Sequence, residues 1–175
     1  DEGNGHAWRV SPFPPDPWTR GVLTADGGKI ETANFPTFAR AAWAAPAKPA
    51  AVPAPTISVT RATDGTVNVH VTADPTGSLR LDLKTDTVVT GGTAQGRPAP
   101  MLTKPDQWTH FVWADSEDLA ISFKPLGHGV LDIRYAAYTP GWPTAAKPLP
   151  AMPPNLMPWD MAGSSVATGA IRTSW

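Results

Sequence analysis

Four histidines, His6, His70, His110 and His128, are the residues with which metal chemistry could begin in this 175-residue chain. A zinc site joins imidazoles to carboxylates at short spacings, as in HExxH or two His one helical turn apart. Neither pattern occurs here. His70 falls on the polar side of an alternating run and His128 stands between two glycines in LGHG, so the histidines read as surface residues. Serine nucleophiles need the GxSxG elbow between a strand and a helix, whereas GSS at 163–165 reads as a small-residue turn feeding a last strand. Glu117-Asp118 lies beside Ser116 in an expected exposed turn with no second carboxylate to oppose it, so paired-carboxylate glycoside chemistry finds no support. The glycine pairs at 27–28 and 91–92 lack the Lys-Ser/Thr or GxGxxG frame of a phosphate cradle and read as turns or bulges. No catalytic residue, metal ligand or cofactor is assigned on these grounds.

The eight tryptophans, at 8, 18, 43, 108, 113, 142, 159 and 175, carry more information, because most lie in or beside proline-rich segments. One role is to bury a large apolar ring and pin a proline tract that has no ladder hydrogen bonds of its own, worth about 1.5–3 kcal/mol for a well-buried aromatic. The other is an exposed platform for a sugar ring, a peptide or a partner domain, and Trp18, Trp142 and Trp159 are its candidate residues.

The elements that must position these side chains can be read from the period of the apolar residues. The tracts at 44–55 and 139–158 are rich in proline and are expected as extended straps excluded from central strands. Between them, 56–138 alternates with period two. Ile57 and Val59 begin it, Asp64-Gly65 marks a hairpin, and Val67, Val69 and Val71 share one face. Leu79, Leu81 and Leu83 follow, then Phe111 and Trp113, then Leu119, Ile121 and Phe123, then Leu131, Ile133 and Tyr135. Six strands with one apolar face each predict two sheets sharing a core. Upstream, Asp16 as N-cap and Pro17 at the first helical position predict a short helix near 17–23, ADGG at 25–28 a turn, and TFARAAW at 37–43 an added strand.

With 21 prolines, 15 glycines and 41% hydrophobic residues, an all-helical fold is disfavoured, and the length suits one domain. The expected architecture is a single mainly β domain over 1–175, an immunoglobulin- or fibronectin-like two-sheet sandwich with a jelly roll as the alternative. It comprises an arm with the short helix (1–43), a strap (44–55), the β core (56–138), and a second strap with a final strand (139–175). A net charge of −1 without basic clusters argues against nucleic acid as a partner. The absence of cysteine rules out disulfides and thiolate metal sites. No apolar run approaches bilayer-spanning length, so no direct membrane insertion by this chain is expected. A start at Asp1 without Met or signal segment reads as a piece trimmed from a longer protein.

The order GWP, KPLPAMPPNLMP and WDMAGSSVATGAIRTSW resembles the extreme C-terminus of membrane-spanning zinc exopeptidases of the aminopeptidase type. DPWTRGVL, WAAPAKP and QWTHFVWADSEDLAISFKPLGHGVLDIRYA are similar to the same region, so the likeness spans most of the chain. In that family an N-terminal zinc peptidase domain precedes several membrane helices and a last extracytoplasmic domain. The resemblance implies that this chain is the last of these alone, a non-catalytic accessory domain on the periplasmic or exterior side. Its partners would be the peptidase and membrane domains of the same parent. The family's metal ligands lie in its peptidase domain, and no position here matches them. On this reading Trp175 ends the parent protein, with its strand at a sheet edge and its indole folded back onto the body. A carbohydrate- or peptide-binding module that stacks ligands on exposed tryptophans is the alternative function.

Overall fold

The computed structural model of the protein describes residues 6–35, 40–74, 77–99, 104–114, 118–157 and 163–175. The chain is mainly β and falls into two compact units, Asp1–Val52 with Pro140–Ser165 and Pro53–Thr139 with Val166–Trp175. Two of the three changeovers, after Val52 and after Thr139, fall in the proline-rich tracts, where few ladder hydrogen bonds can form, and the third, after Ser165, falls at the start of the last strand.

The first unit contains β1 (Ala7–Ser11), α1 (Pro17–Leu23), β2 (Glu31–Ala33) and β3 (Ala42–Ala47). The helix forms where capping chemistry places it. The Asp16 carboxylate accepts from the backbone N–H groups of Trp18 and Thr19, and Pro17 takes the first position, where its missing N–H costs nothing. Val22 and Leu23 supply its buried face. The turn expected at ADGG follows, with Gly27 at a φ of 88°, the left-handed region that glycine enters freely.

β3 sits between β1 and β2 in an antiparallel three-stranded sheet. It begins at Ala42, in the stretch expected to add a strand, but runs on to Ala47 and so takes Pro46 into a central strand. This corrects the expectation that the first tract stays out of the sheets. β2 is only three residues long and pairs no further than Ala44, so at Pro46 the strand has β1 alone as neighbour, opposite Trp8. The proline's missing donor is tolerated because β2 makes no ladder bond there, and Gly28 packs closely against Pro46 instead. β1 and β2 were not foreseen, since neither AWRVS nor ETA is long or apolar enough to show a period.

The second unit is a sandwich built from β4 (Thr56–Arg61), β5 (Val67–Thr72), β6 (Ser78–Thr85), β7 (Val89–Ala94), β8 (Arg97–Pro98), β9 (Thr109–Ala114), β10 (Asp118–Pro125), β11 (Val130–Thr139) and β12 (Ser165–Ser174). One sheet has the order β4-β5-β10-β7-β8 and the other β12-β11-β6-β9. With β4, β5, β6, β7, β10, β11 and β12 as A to G, these are the A-B-E-D and G-F-C sheets of an immunoglobulin-type sandwich, extended by β8 and β9. All six expected strands form. The added β7–β8 hairpin turns at Gln95-Gly96, both at positive φ, as a two-residue primed turn requires. The Gly91-Gly92 pair is a bulge in β7, with Gly91 at a φ of 63° where the register against β10 shifts between Ser122 and Lys124.

The core is the set of alternating apolar residues from both sheets. Val67, Val69, Val71, Leu119, Ile121 and Phe123 from one sheet meet Leu79, Leu81, Leu83, Leu131 and Ile133 from the other, and all are at most 4% exposed. Full burial of each such side chain is worth about 1.5–3 kcal/mol, so this stripe dominates the stability of the unit. β12 closes one edge beside β11, and Trp175 packs with Ile171 and Tyr135 against the core.

Candidate functional site

Two constellations gather the polar and aromatic side chains that could do chemistry. In the first unit, Arg9 on β1 projects into the interior and its Nε donates to Asp26 Oδ2 at 2.9 Å. The two side chains are 4% and 8% exposed, so this is a buried ion pair, with Asp26 placed on the turn after α1. The Arg9 hydrogen bond, with help from the Lys48 N–H and against the cost of burial, holds the Asp26 carboxyl below the usual carboxylate range.

The guanidinium of Arg9 also lies over the ring of Trp142, 4.9 Å from its centroid. Trp142 Nε1 donates to Lys147 O at 2.9 Å, and Lys147 Nζ in turn donates to Ala25 O at 3.0 Å. A shallow groove lies alongside, lined by Ala25, Asp26, Lys48, Ala145, Ala146 and Lys147. Trp18 sits on α1, and its Nε1 donates to Ala151 O at 3.1 Å. Trp18 and Trp142 are therefore half-buried and engaged with the strap that follows residue 139, within the same unit. Trp159 lies outside the described residues.

In the second unit, the outward face of the β12-β11-β6-β9 sheet is a lattice of charge. Asp82 on β6 is gripped by Arg80 through Nε at 3.0 Å and Nη2 at 3.1 Å, and His110 Nδ1 on β9 lies 2.7 Å from Asp82 Oδ1. Asp132 on β11 is shared by Lys84 at 3.2 Å and Arg172 at 3.3 Å. Trp108 receives the Arg134 guanidinium at 4.5 Å and the Lys84 ammonium at 5.3 Å from its ring centroid. The antiparallel register creates these contacts, placing Asp82 directly across from His110 on one side and Arg134 on the other.

An imidazole oriented by a carboxylate is half of a general-base pair, with Nε2 left facing solvent. Here the same carboxylate is also bound in a fork by Arg80, which makes Asp82 the centre of an ion network rather than a dedicated partner of His110. On the opposite sheet, His70 Nε2 lies 3.3 Å from Asp118, which also accepts from Thr72 Oγ1. His128 Nδ1 contacts Trp175 O at 3.0 Å. Among the described residues no three His, Asp or Glu side chains converge to hold a metal ion.

The sequence placed His70 on an exposed face and His128 in a loop, as found, but it missed the pairings of His110 and Asp82. These partners are 28 residues apart and share a contact only through register. The outward alternation of Arg80, Asp82 and Lys84 was the available signal, and it identifies a face without naming what crosses it.

Comparison of the chain with protein-family models, with curated proteins and with solved structures finds no match.

Proposed function

We propose that this chain is a non-catalytic accessory domain that braces or presents other domains of the same parent protein. In its sequence motifs it is similar to the C-terminal soluble part of a membrane-bound zinc exopeptidase. On that reading it works outside the cytoplasm, beside a peptidase domain and a membrane domain.

The observation that carries the scaffold reading is how the indoles are used. Trp18, Trp142 and Trp175 each donate Nε1–H to a backbone carbonyl of a strap or loop, at 3.1, 2.9 and 3.0 Å. No tryptophan among the described residues is an exposed large hydrophobe, which favours pinning over a stacking platform. The link to a metallo-exopeptidase rests on the resemblance of the tail and strap motifs alone.

The reading frame upstream of Asp1 is the test. A zinc peptidase followed by membrane helices is the expected finding, and a signal peptide directly ahead of this domain overturns it. Tryptophan emission titrated with millimolar saccharides or peptides adds an independent check. Unchanged emission is expected, whereas saturable quenching assigns the chain to the binding-module class.

A further inference from the structure

Six strands end the three sheets of this protein, and five of them carry a recognisable guard against further pairing. β8 is two residues with Pro98, and β2 is three residues. β4 follows Pro53 and Pro55 and ends on Arg61, β12 contains Gly169 and Arg172, and β1 contains Arg9. Of the edge strands longer than three residues, β9 alone, Thr-His-Phe-Val-Trp-Ala, has no proline, glycine, lysine or arginine, and its ladder to β6 runs unbroken from Thr109 to Ala114.

We infer that β9 is a self-pairing edge, at which a second copy of this chain adds its own β9 antiparallel to form a two-fold dimer with one continuous sheet. Among the described residues no turn or loop backbone bond reaches positions 110–114, and Val112 stands 74% exposed at the strand's centre. Such an edge row of backbone donors and acceptors is a template for an added extended strand.

The pleat then selects the register. Directly opposed residues point to the same side of a sheet, so inward Phe111 and Trp113 must face inward residues of the partner. A two-fold axis through Val112 does this: Val112 opposes its own copy, Phe111 opposes Trp113, and His110 opposes Ala114. The outward apolar side chain is covered, two aromatic cross-strand pairs form, and no Asp, Glu, Lys or Arg of the strand meets a like charge. A two-fold axis through Phe111 also obeys the pleat, but it sets Val112 against an imidazole and leaves it half-covered.

A six-residue edge is small against the roughly 1,200–2,000 Å² of a stable interface, so the dimer is weak and depends on protein concentration. The inference is independent of the accessory-domain reading, and neither test bears on the other.

The chain has no cysteine, so Val112→Cys introduces a single thiol. Across an antiparallel ladder, opposed Cα atoms lie about 4.5–5.5 Å apart, within the range a disulfide spans. In a glutathione redox buffer, Val112→Cys is expected to form a covalent dimer, while Leu126→Cys, a loop position 63% exposed, stays monomeric. In sedimentation, the wild type is expected to shift from monomer to dimer with concentration. Val112→Lys is expected to lose the dimer while keeping its thermal midpoint. A wild type that stays monomeric at millimolar concentration, equal crosslinking of the two cysteine variants, or a dimer that survives Val112→Lys overturns the inference.

Discussion

The indole of Trp175 meets the ring of Phe123 edge-on, with centroids 5.9 Å apart and planes inclined at 71°. Phe123 is fully buried in the sandwich core, so the last side chain of the sequence is joined directly to its centre. The loop between β10 and β11 completes the grip. Gly127 O accepts from Trp175 Nε1, Gly129 O accepts from Trp175 N at 3.2 Å, and His128 contacts Trp175 O. A strand at the edge of a sheet frays unless its end is tied, and here one aromatic residue supplies a packing contact and two backbone-directed bonds.

Gly129 is the tightest point of that grip. A Cβ added there would lie 2.7 Å from Asp86 Oδ1 and 3.0 Å from Trp175 Cζ2. Asp86 Oδ1 already accepts from Val130 N at 2.8 Å, which fixes it in place. Gly129→Ala is expected to displace the indole and destabilise by about 1–3 kcal/mol, the usual cost of overpacking. Chemical denaturation with urea measures it, and an unchanged midpoint would show that the loop yields freely.

Acid sensitivity follows from three carboxylates. Asp26 is held low chiefly by the Arg9 hydrogen bond, Asp16 chiefly by the Thr19 hydroxyl and Asp64 chiefly by the Thr66 N–H. As pH falls, the unfolded chain takes up protons at these sites first, near about pH 4, and the folded protein only lower. Their contribution is complete above that point and is lost as pH drops through the folded values. Thermal midpoints are expected to be level near neutrality and to fall below about pH 4. Asp26→Asn is expected to lower the neutral-pH midpoint, because it removes the ionised partner of a buried Arg9, and to flatten the acid limb. An acid limb identical to that of the wild type contradicts the assignment.

Trp142 ties the second strap to Arg9 and to its own downstream backbone. Trp142→Ala removes both contacts, and the strap over 143–157 is expected to become a preferred site of thermolysin cleavage. Trp142→Phe, which keeps the ring face toward Arg9 but loses the donor to Lys147 O, is expected to be cut at an intermediate rate. Equal rates for all three proteins would mean that other contacts hold the strap.

Much of this architecture was legible in the sequence because period-two alternation is a direct record of burial. Val67, Val69 and Val71 lie inward at 0%, 1% and 0% exposure as their spacing required, and Asp16-Pro17 set the start of the helix to the residue. β7 shows no readable period because Gly91-Gly92 interrupts its alternation, and the pair, expected as a turn or bulge, is a bulge. Pro46 misled because its tolerance depends on how far β2 extends, which no local pattern encodes. The ion network around Asp82 was illegible for the same reason: Arg80 and Asp82 share one strand, but His110 meets them only after a strand 28 residues distant finds its register.

The central claim is that tryptophan side chains in this protein hold straps and tail to their sheets, and Trp175→Ala tests it most directly by thermal unfolding. Core Trp or Phe to Ala changes cost about 3–5 kcal/mol, and for a half-buried indole about 2 kcal/mol is expected, a drop of roughly 4–8 °C for a chain of this size. A midpoint within one degree or so of the wild type would contradict the claim, since it would mean that the indole at the end of β12 bears no part of the fold.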